Sequence, residues 1–160
     1  MNRVRPDMDQ RARGMGALWQ GSLLSTASAT QSSPAGSKRM QQDHSSVVGV
    51  VDDDSAVLDS FRFMLEVAGY RVATFGSAFD FLENASEPPA CLILDQYMPD
   101  LTGLELVEHL RSVGSTMPIL LITGLPSPEI TVRAAELGIE GVIEKPPDEA
   151  DILRFATTHL

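Results

Sequence analysis

The sequence predicts an α/β fold: a five-stranded parallel sheet, doubly wound, in a (βα)5 arrangement. Three observations point to it. Short apolar runs of strand length alternate five times with segments of helical periodicity. The runs are nearly continuous in Val, Ile and Leu, as strands covered on both faces must be. Polar residues follow those runs at once, and open parallel sheets hold their ligands at the carboxyl ends of strands.

The elements follow in order. Val47-Val48-Gly49-Val50-Val51 is a β-branched strand, and Asp52-Asp53-Asp54 ends it. From Ser55 the pattern turns helical, with Val57, Phe61, Met64, Leu65 and Ala68 on one face and Gly69 as the stop. Asp54 or Ser55 can cap this helix. Arg71 to Phe75 is the second strand, and Ser77 opens a short helix carrying Phe79 and Leu82. Pro88-Pro89 separates it from the third strand, Cys91-Leu92-Ile93-Leu94-Asp95. A turn with Pro99 and Gly103 follows, then a helix over Thr102 to Val113 with Leu104, Val107 and Leu110 at helical spacing. Pro118 to Thr123 is the fourth strand, Ser127 to Leu137 a helix stopped by Gly138, and Gly141-Val142-Ile143 the fifth strand. Asp148 to Leu160 closes the chain as a helix with Ile152, Leu153 and Phe155 apolar.

A length of 160 residues is that of one domain with one core. Residues 1–46 are rich in Ser, Gly, Gln and Arg without periodicity, and are expected to be a disordered tail. Arg3, Arg5, Arg11 and Arg13 among serines suggest a transit peptide, but Asp7 and Asp9 argue against it. A start at Met40 is an equal alternative. The tail carries six Lys/Arg against three acids, and residues 47–160 carry six against nineteen. The net charge of -10 argues against nucleic acid or an anionic membrane as a direct partner of the folded part. No apolar run approaches the ~20 residues of a membrane helix. Cys91 is the single cysteine, which excludes an intrachain disulfide and favours a reducing, cytoplasmic setting. Its apolar strand makes it a core residue rather than a reactive thiol.

Reading the residue past each strand gathers the chemistry. The first strand delivers Asp52 and Asp53, the third Asp95, the fourth Thr123 and the fifth Lys145. Each residue alone has a plain structural explanation, as a cap, a turn or a surface charge. Together they place three carboxylates, a hydroxyl and one ammonium on one sheet edge. That leaves about two negative charges in a small volume, which a bound cation would relieve. Carboxylate oxygens without His or Cys suit Mg2+ better than zinc.

These residues resemble the receiver domain of two-component response regulators. The resemblance rests on the Asp52-Asp53 pair, Asp95 with its Met98-Pro99-Asp100…Gly103 turn, Thr123-Gly124 and Lys145-Pro146, each in order at its strand end. It covers residues 47–160 and implies a flavodoxin-like strand order 2-1-3-4-5. It also implies that Asp95 is the phospho-acceptor, taking a phosphoryl group from a sensor histidine kinase or phosphotransfer protein. Asp53 would bind Mg2+ directly and Asp52 mainly through water, with Asp95 and the backbone carbonyl of Tyr97 completing the protein ligands. Thr123 would hydrogen-bond a phosphoryl oxygen, Lys145 would pair with Asp95 or its phosphate, and the Lys145-Pro146 bond would be cis. The protein would be a switch rather than a true enzyme. Its output would pass through the face made by the fourth helix, fifth strand and fifth helix, with weak homodimerisation on phosphorylation as a further possibility of the family.

The sequence departs from the family at two places. Three residues before the lysine, where Phe or Tyr is usual, stands Val142, and after Lys145-Pro146 stands Pro147. Tyr97 and Leu125 are expected to flank the acyl phosphate and shield it from water. Only one helix follows Lys145, so a stand-alone or truncated receiver is expected. A haloacid-dehalogenase-like phosphatase would want a second acid where Tyr97 stands, and a flavodoxin-type carrier would not place acids after its first strand. A receiver-like module that is never phosphorylated is the alternative, raised by Val142.

Overall fold

The computed structural model describes residues 46–160. The expectation of disorder for residues 1–46 therefore lies, Ser46 apart, outside the described residues. Five strands, β1 Val47–Val51, β2 Arg71–Phe75, β3 Cys91–Asp95, β4 Ile119–Thr123 and β5 Gly141–Glu144, alternate with five helices. The helices are α1 Ser55–Val67, α2 Ala78–Asn84, α3 Gly103–Ser112, α4 Pro128–Glu136 and α5 Glu149–His159. All pairings are parallel and the order is β2-β1-β3-β4-β5.

The period of two along the central strands divides the core. Val48, Val50, Cys91, Ile93, Leu120 and Ile122 face one side and pack with residues of α1 and α5. Val51, Leu92, Leu94, Ile119 and Leu121 face the other and pack with residues of α2, α3 and α4. Alternate side chains of a strand point to opposite faces, so a strand covered on both must be apolar throughout. Strands β3 and β4 are buried at every position.

Every helix start is capped by a side chain. Asp54, Ser77, Thr102, Ser127 and Asp148 each accept a backbone N–H of the following turn. At α3 the cap is reciprocal, Thr102 accepting from Glu105 N–H while the Glu105 carboxylate accepts from Thr102 N–H. Gly69, at φ 94°, closes α1 in the left-handed region.

The apolar stripe of α1 differs in detail from the expected one. Leu58, Phe61 and Leu65 are buried; Val57 and Met64 lie half-buried beside α5, and Ala68 is an exposed C-cap. Leu58 lies three residues before Phe61 and seven before Leu65, closer to the centre of the packed face than Val57. In α3 the buried side chains are likewise Leu106, Val107 and Leu110, with Leu104 half-buried.

Candidate functional site

Register brings the strand ends to one level. Val51 lies opposite Leu94, Asp95 opposite Ile122, and Thr123 opposite Glu144. The residues after these pairs, Asp52, Gln96 and Lys145, continue the sheet's hydrogen bonding. Asp52 N–H donates to Phe75 O, Gln96 N–H to Ile122 O and Lys145 N–H to Thr123 O. Position along each strand thus becomes position around a pocket.

The structure brings together the carboxylates of Asp52, Asp53 and Asp95, with one oxygen of each within 4.8 Å of the others. Asp52 and Asp95 are buried and Asp53 is exposed. Lys145 reaches over from beyond β5, its Nζ 2.8 Å from Asp52 Oδ2 and 2.8 Å from Asp95 Oδ1. The remaining oxygens also have donors: Asp54 N–H to Asp52 Oδ1 at 2.9 Å, and Tyr97 N–H to Asp95 Oδ2 at 2.9 Å. The Lys145–Pro146 bond is cis.

Burial pushes the Asp95 carboxyl above the usual range; the Lys145 hydrogen bond and charge oppose this, the charge of Asp52 adds to it, and the Tyr97 N–H opposes it. Burial works against the Lys145 ammonium, but hydrogen bonds and charge from Asp52 and Asp95 outweigh it and hold its pKa above the ordinary value. The ammonium is therefore fully charged at neutral pH and neutralises only part of the cluster. A hard oxygen set with residual negative charge and one exposed carboxylate fits a divalent cation that keeps waters.

Thr123 is fully buried, and its Oγ1 accepts from Leu125 N–H at 3.2 Å. Tyr97 and Leu125 are exposed apolar side chains two residues beyond Asp95 and Thr123. Val142 is half-buried in β5, packed against the core that contains residues of α2, α3 and α4.

Two features carry no motif signature. One is a mostly apolar groove between α1 and α5, lined by Val57, Phe61, Met64, Pro147 and Ile152. Its lining starts close to the site in sequence, since Ala56 lies two residues beyond the acidic triplet and Pro147 follows Lys145-Pro146. It exists only when α1 and α5 lie side by side, which no local pattern encodes. The other is the side chain of Gln96, buried next to Asp95 and in contact with the start of α3. The capping box at Thr102-x-x-Glu105 was readable in the sequence and marks the helix start to which Gln96 reaches.

Comparison with known proteins identifies the family and the fold. The family model described as the response regulator receiver domain matches residues 48–157. The chain is 39% identical over 108 residues to the transcriptional regulatory protein FixJ of Azorhizobium caulinodans, a match covering 66% of this chain and 51% of that protein. It is 35% identical over 124 residues to the response regulator protein TmoT of Ectopseudomonas mendocina, covering 77% and 56%. The chain spans about half the length of the curated relatives it matches. Among solved structures, the chemotaxis protein CheY4 of Vibrio cholerae superposes with a TM-score of 0.65 at 29% identity, covering 72% of this chain and 98% of that one. The structure of FixJ-N gives a TM-score of 0.63 at 34% identity, covering 72% and 95%. With the family model matching more than half of the chain and the strand order β2-β1-β3-β4-β5 in place, this chain belongs to the response regulator receiver domain family.

Proposed function

We propose that the protein is a phospho-acceptor switch of a two-component phosphorelay, with Asp95 as the acceptor. The observation that carries the reading is the placement of Lys145 Nζ 2.8 Å from both Asp95 and Asp52, with Asp53 completing the carboxylate cluster. A sensor histidine kinase or phosphotransfer protein presents a phosphohistidine. A carboxylate oxygen of Asp95 attacks phosphorus, the P–N bond breaks as the O–P bond forms, and imidazole leaves. The product is an acyl phosphate on Asp95. Such transfer needs positioning and charge stabilisation more than proton chemistry.

Each neighbour then has a role. Lys145 holds the Asp95 carboxylate before transfer and pairs with the phosphoryl oxygens after it. The Thr123 hydroxyl donates to a phosphoryl oxygen while its lone pair retains the Leu125 N–H. Asp53 would hold Mg2+ directly and Asp52 mainly through water, with Asp95 and the carbonyl of Tyr97 completing the protein ligands; bound there, Mg2+ would supply positive charge that stabilises the transfer. Catalysis in this chain is confined to its own phosphorylation and dephosphorylation, so it acts as a switch and not as an enzyme on other substrates.

Phosphorylation adds about 1.5–2 negative charges beside Thr123 and Lys145. Thr123 is bonded to Leu125 in the loop before α4, so its movement would reach that helix without an aromatic at position 142. The face of α4, β5 and α5 is the output surface, for a downstream protein or, on phosphorylation, a second copy held weakly. The groove between α1 and α5 is the seat for the phosphoryl donor, because its lining includes Ala56 and Pro147, two residues beyond Asp54 and Lys145, and is mostly apolar. The acidic balance of residues 47–160 disfavours direct contact with nucleic acid or anionic membrane. Among the described residues no helix is long and apolar enough to cross a membrane. A cytoplasmic setting fits a kinase-fed switch, and residues 47–160 form its receiver unit.

The test is reaction with phosphoramidate in Mg2+, followed by intact mass. A gain of one phosphoryl group that Asp95→Asn abolishes supports the switch. No gain, with or without Mg2+, favours a module that is never phosphorylated.

A further inference from the structure

The first turn of a helix has four backbone N–H groups without partners inside the helix. In α3 all four are taken. The capping box serves two of them: Thr102 Oγ1 accepts from Glu105 N–H, and the Glu105 carboxylate accepts from Thr102 N–H. The other two go to one residue outside the helix. Gln96 accepts from Gly103 N–H through its backbone carbonyl at 3.0 Å, and from Leu104 N–H through its side-chain Oε1 at 3.1 Å. Its own N–H donates to Ile122 O in β4 at 2.8 Å.

Gln96 therefore joins β4, the end of β3 and the start of α3, and it is the residue bonded directly to Asp95. Gln96 is 5% exposed, and replacing its side chain with an apolar group would leave the half-buried Leu104 N–H without this acceptor. The loop it closes runs from Tyr97 to Thr102, anchored by buried Met98 and Leu101. Tyr97, at the head of that loop, donates to Asp95 Oδ2. The carboxylate orientation and the backbone at Tyr97 thus depend on where the start of α3 is held.

We infer that Gln96 is a positioning residue for the phospho-acceptor: its side-chain amide pins the start of α3 and thereby sets the geometry of the Asp95 carboxylate and of the Tyr97 backbone that would face a cation. The inference rests on the reading of Asp95 as a Mg2+-dependent acceptor. Its chemistry is specific. An acceptor atom is needed at position 96, so Glu can serve where Met, of similar length, cannot. Partners that orient metal ligands at second hand are typically worth about 10–100-fold in metal affinity or activity.

The experiment compares the full chain with Gln96→Met and Gln96→Glu, at a temperature where all three are folded by circular dichroism. Mg2+ affinity is read by calorimetry, the phosphorylation rate by phosphoramidate and intact mass, and Leu104 N–H protection by hydrogen exchange. The expected result is Mg2+ binding and phosphorylation both about tenfold weaker or slower in Gln96→Met, with faster Leu104 exchange, and largely restored in Gln96→Glu. A Gln96→Met chain that loses thermal stability while binding Mg2+ and accepting phosphoryl at the wild-type level overturns the inference. Equal impairment of the Met and Glu variants also overturns it, because the amide's shape and not its acceptor would then matter. A wild-type chain that binds no Mg2+ and takes no phosphoryl group overturns the acceptor reading itself, and this inference with it.

Discussion

Lys145 Nζ lies 2.8 Å from Asp95 Oδ1, joining residues 50 positions apart in the chain across the carboxyl ends of β5 and β3. The same ammonium lies 2.8 Å from Asp52 Oδ2. One cation thus serves two buried carboxylates whose mutual repulsion it offsets. Lys145→Met should leave both acids without it and destabilise the Mg2+-free protein by about 1–3 kcal/mol. The lysine is 30% exposed, so the lower half of that range is expected. Added Mg2+ should recover more stability in the variant than in the wild type, since binding to the folded state alone stabilises by mass action. Urea denaturation of both proteins with and without Mg2+ checks this; equal Mg2+ gains would sink it.

Gly103 has no room for a side chain. A Cβ there would lie 2.5 Å from Asp95 O and 2.8 Å from Leu121 Cδ1. The backbone carbonyl of Asp95 cannot rotate away as a side chain would. Gly103→Ala should cost about 1–3 kcal/mol of stability, as overpacked sites do. It should also slow phosphorylation, because the displaced atom belongs to Asp95, the proposed acceptor. The midpoint of urea unfolding at unchanged slope, and the phosphoramidate rate, are the two readings.

Tyr97 and Leu125 lie two residues beyond Asp95 and Thr123 and are 48% and 69% exposed. If their bulk keeps water from the acyl phosphate, Tyr97→Asn should speed dephosphorylation by about tenfold, a barrier change of about 1.4 kcal/mol. Leu125→Ala should act in the same direction. The decay of the phosphorylated mass after donor removal measures it, and an unchanged rate in Tyr97→Asn would refute shielding.

Cys91 is fully buried in β3, and burial pushes its thiol pKa up to about 12. In the unfolded chain a thiol ionises near pH ~8.5. The folded state therefore holds the proton longer than the unfolded state. The resulting stability is complete below about pH 8.5 and is lost as pH rises through the folded value. Cys91→Ala should flatten the fall in urea midpoint between neutral and alkaline pH. Thiol reagent should modify the native protein only at its rate of opening.

The sequence by itself determined the fold class, the element order and the strand-end residues. Short continuous apolar runs and capped amphipathic segments are local signals, and in a parallel sheet the carboxyl end of every strand must lie on one edge. Asp52, Asp53, Asp95, Thr123 and Lys145 could therefore be gathered before any coordinate was known. The choice of buried stripe in α1 was less legible. Val57 and Leu58 are both apolar, and only contact with the sheet selects Leu58. Tertiary structure alone decided that Lys145 is shared between Asp52 and Asp95, that Gln96 turns inward to the start of α3, and that α1 and α5 leave a mostly apolar groove between them. Those are distances between segments remote in the chain, set by sheet register and helix packing. No periodicity within a single segment can carry them.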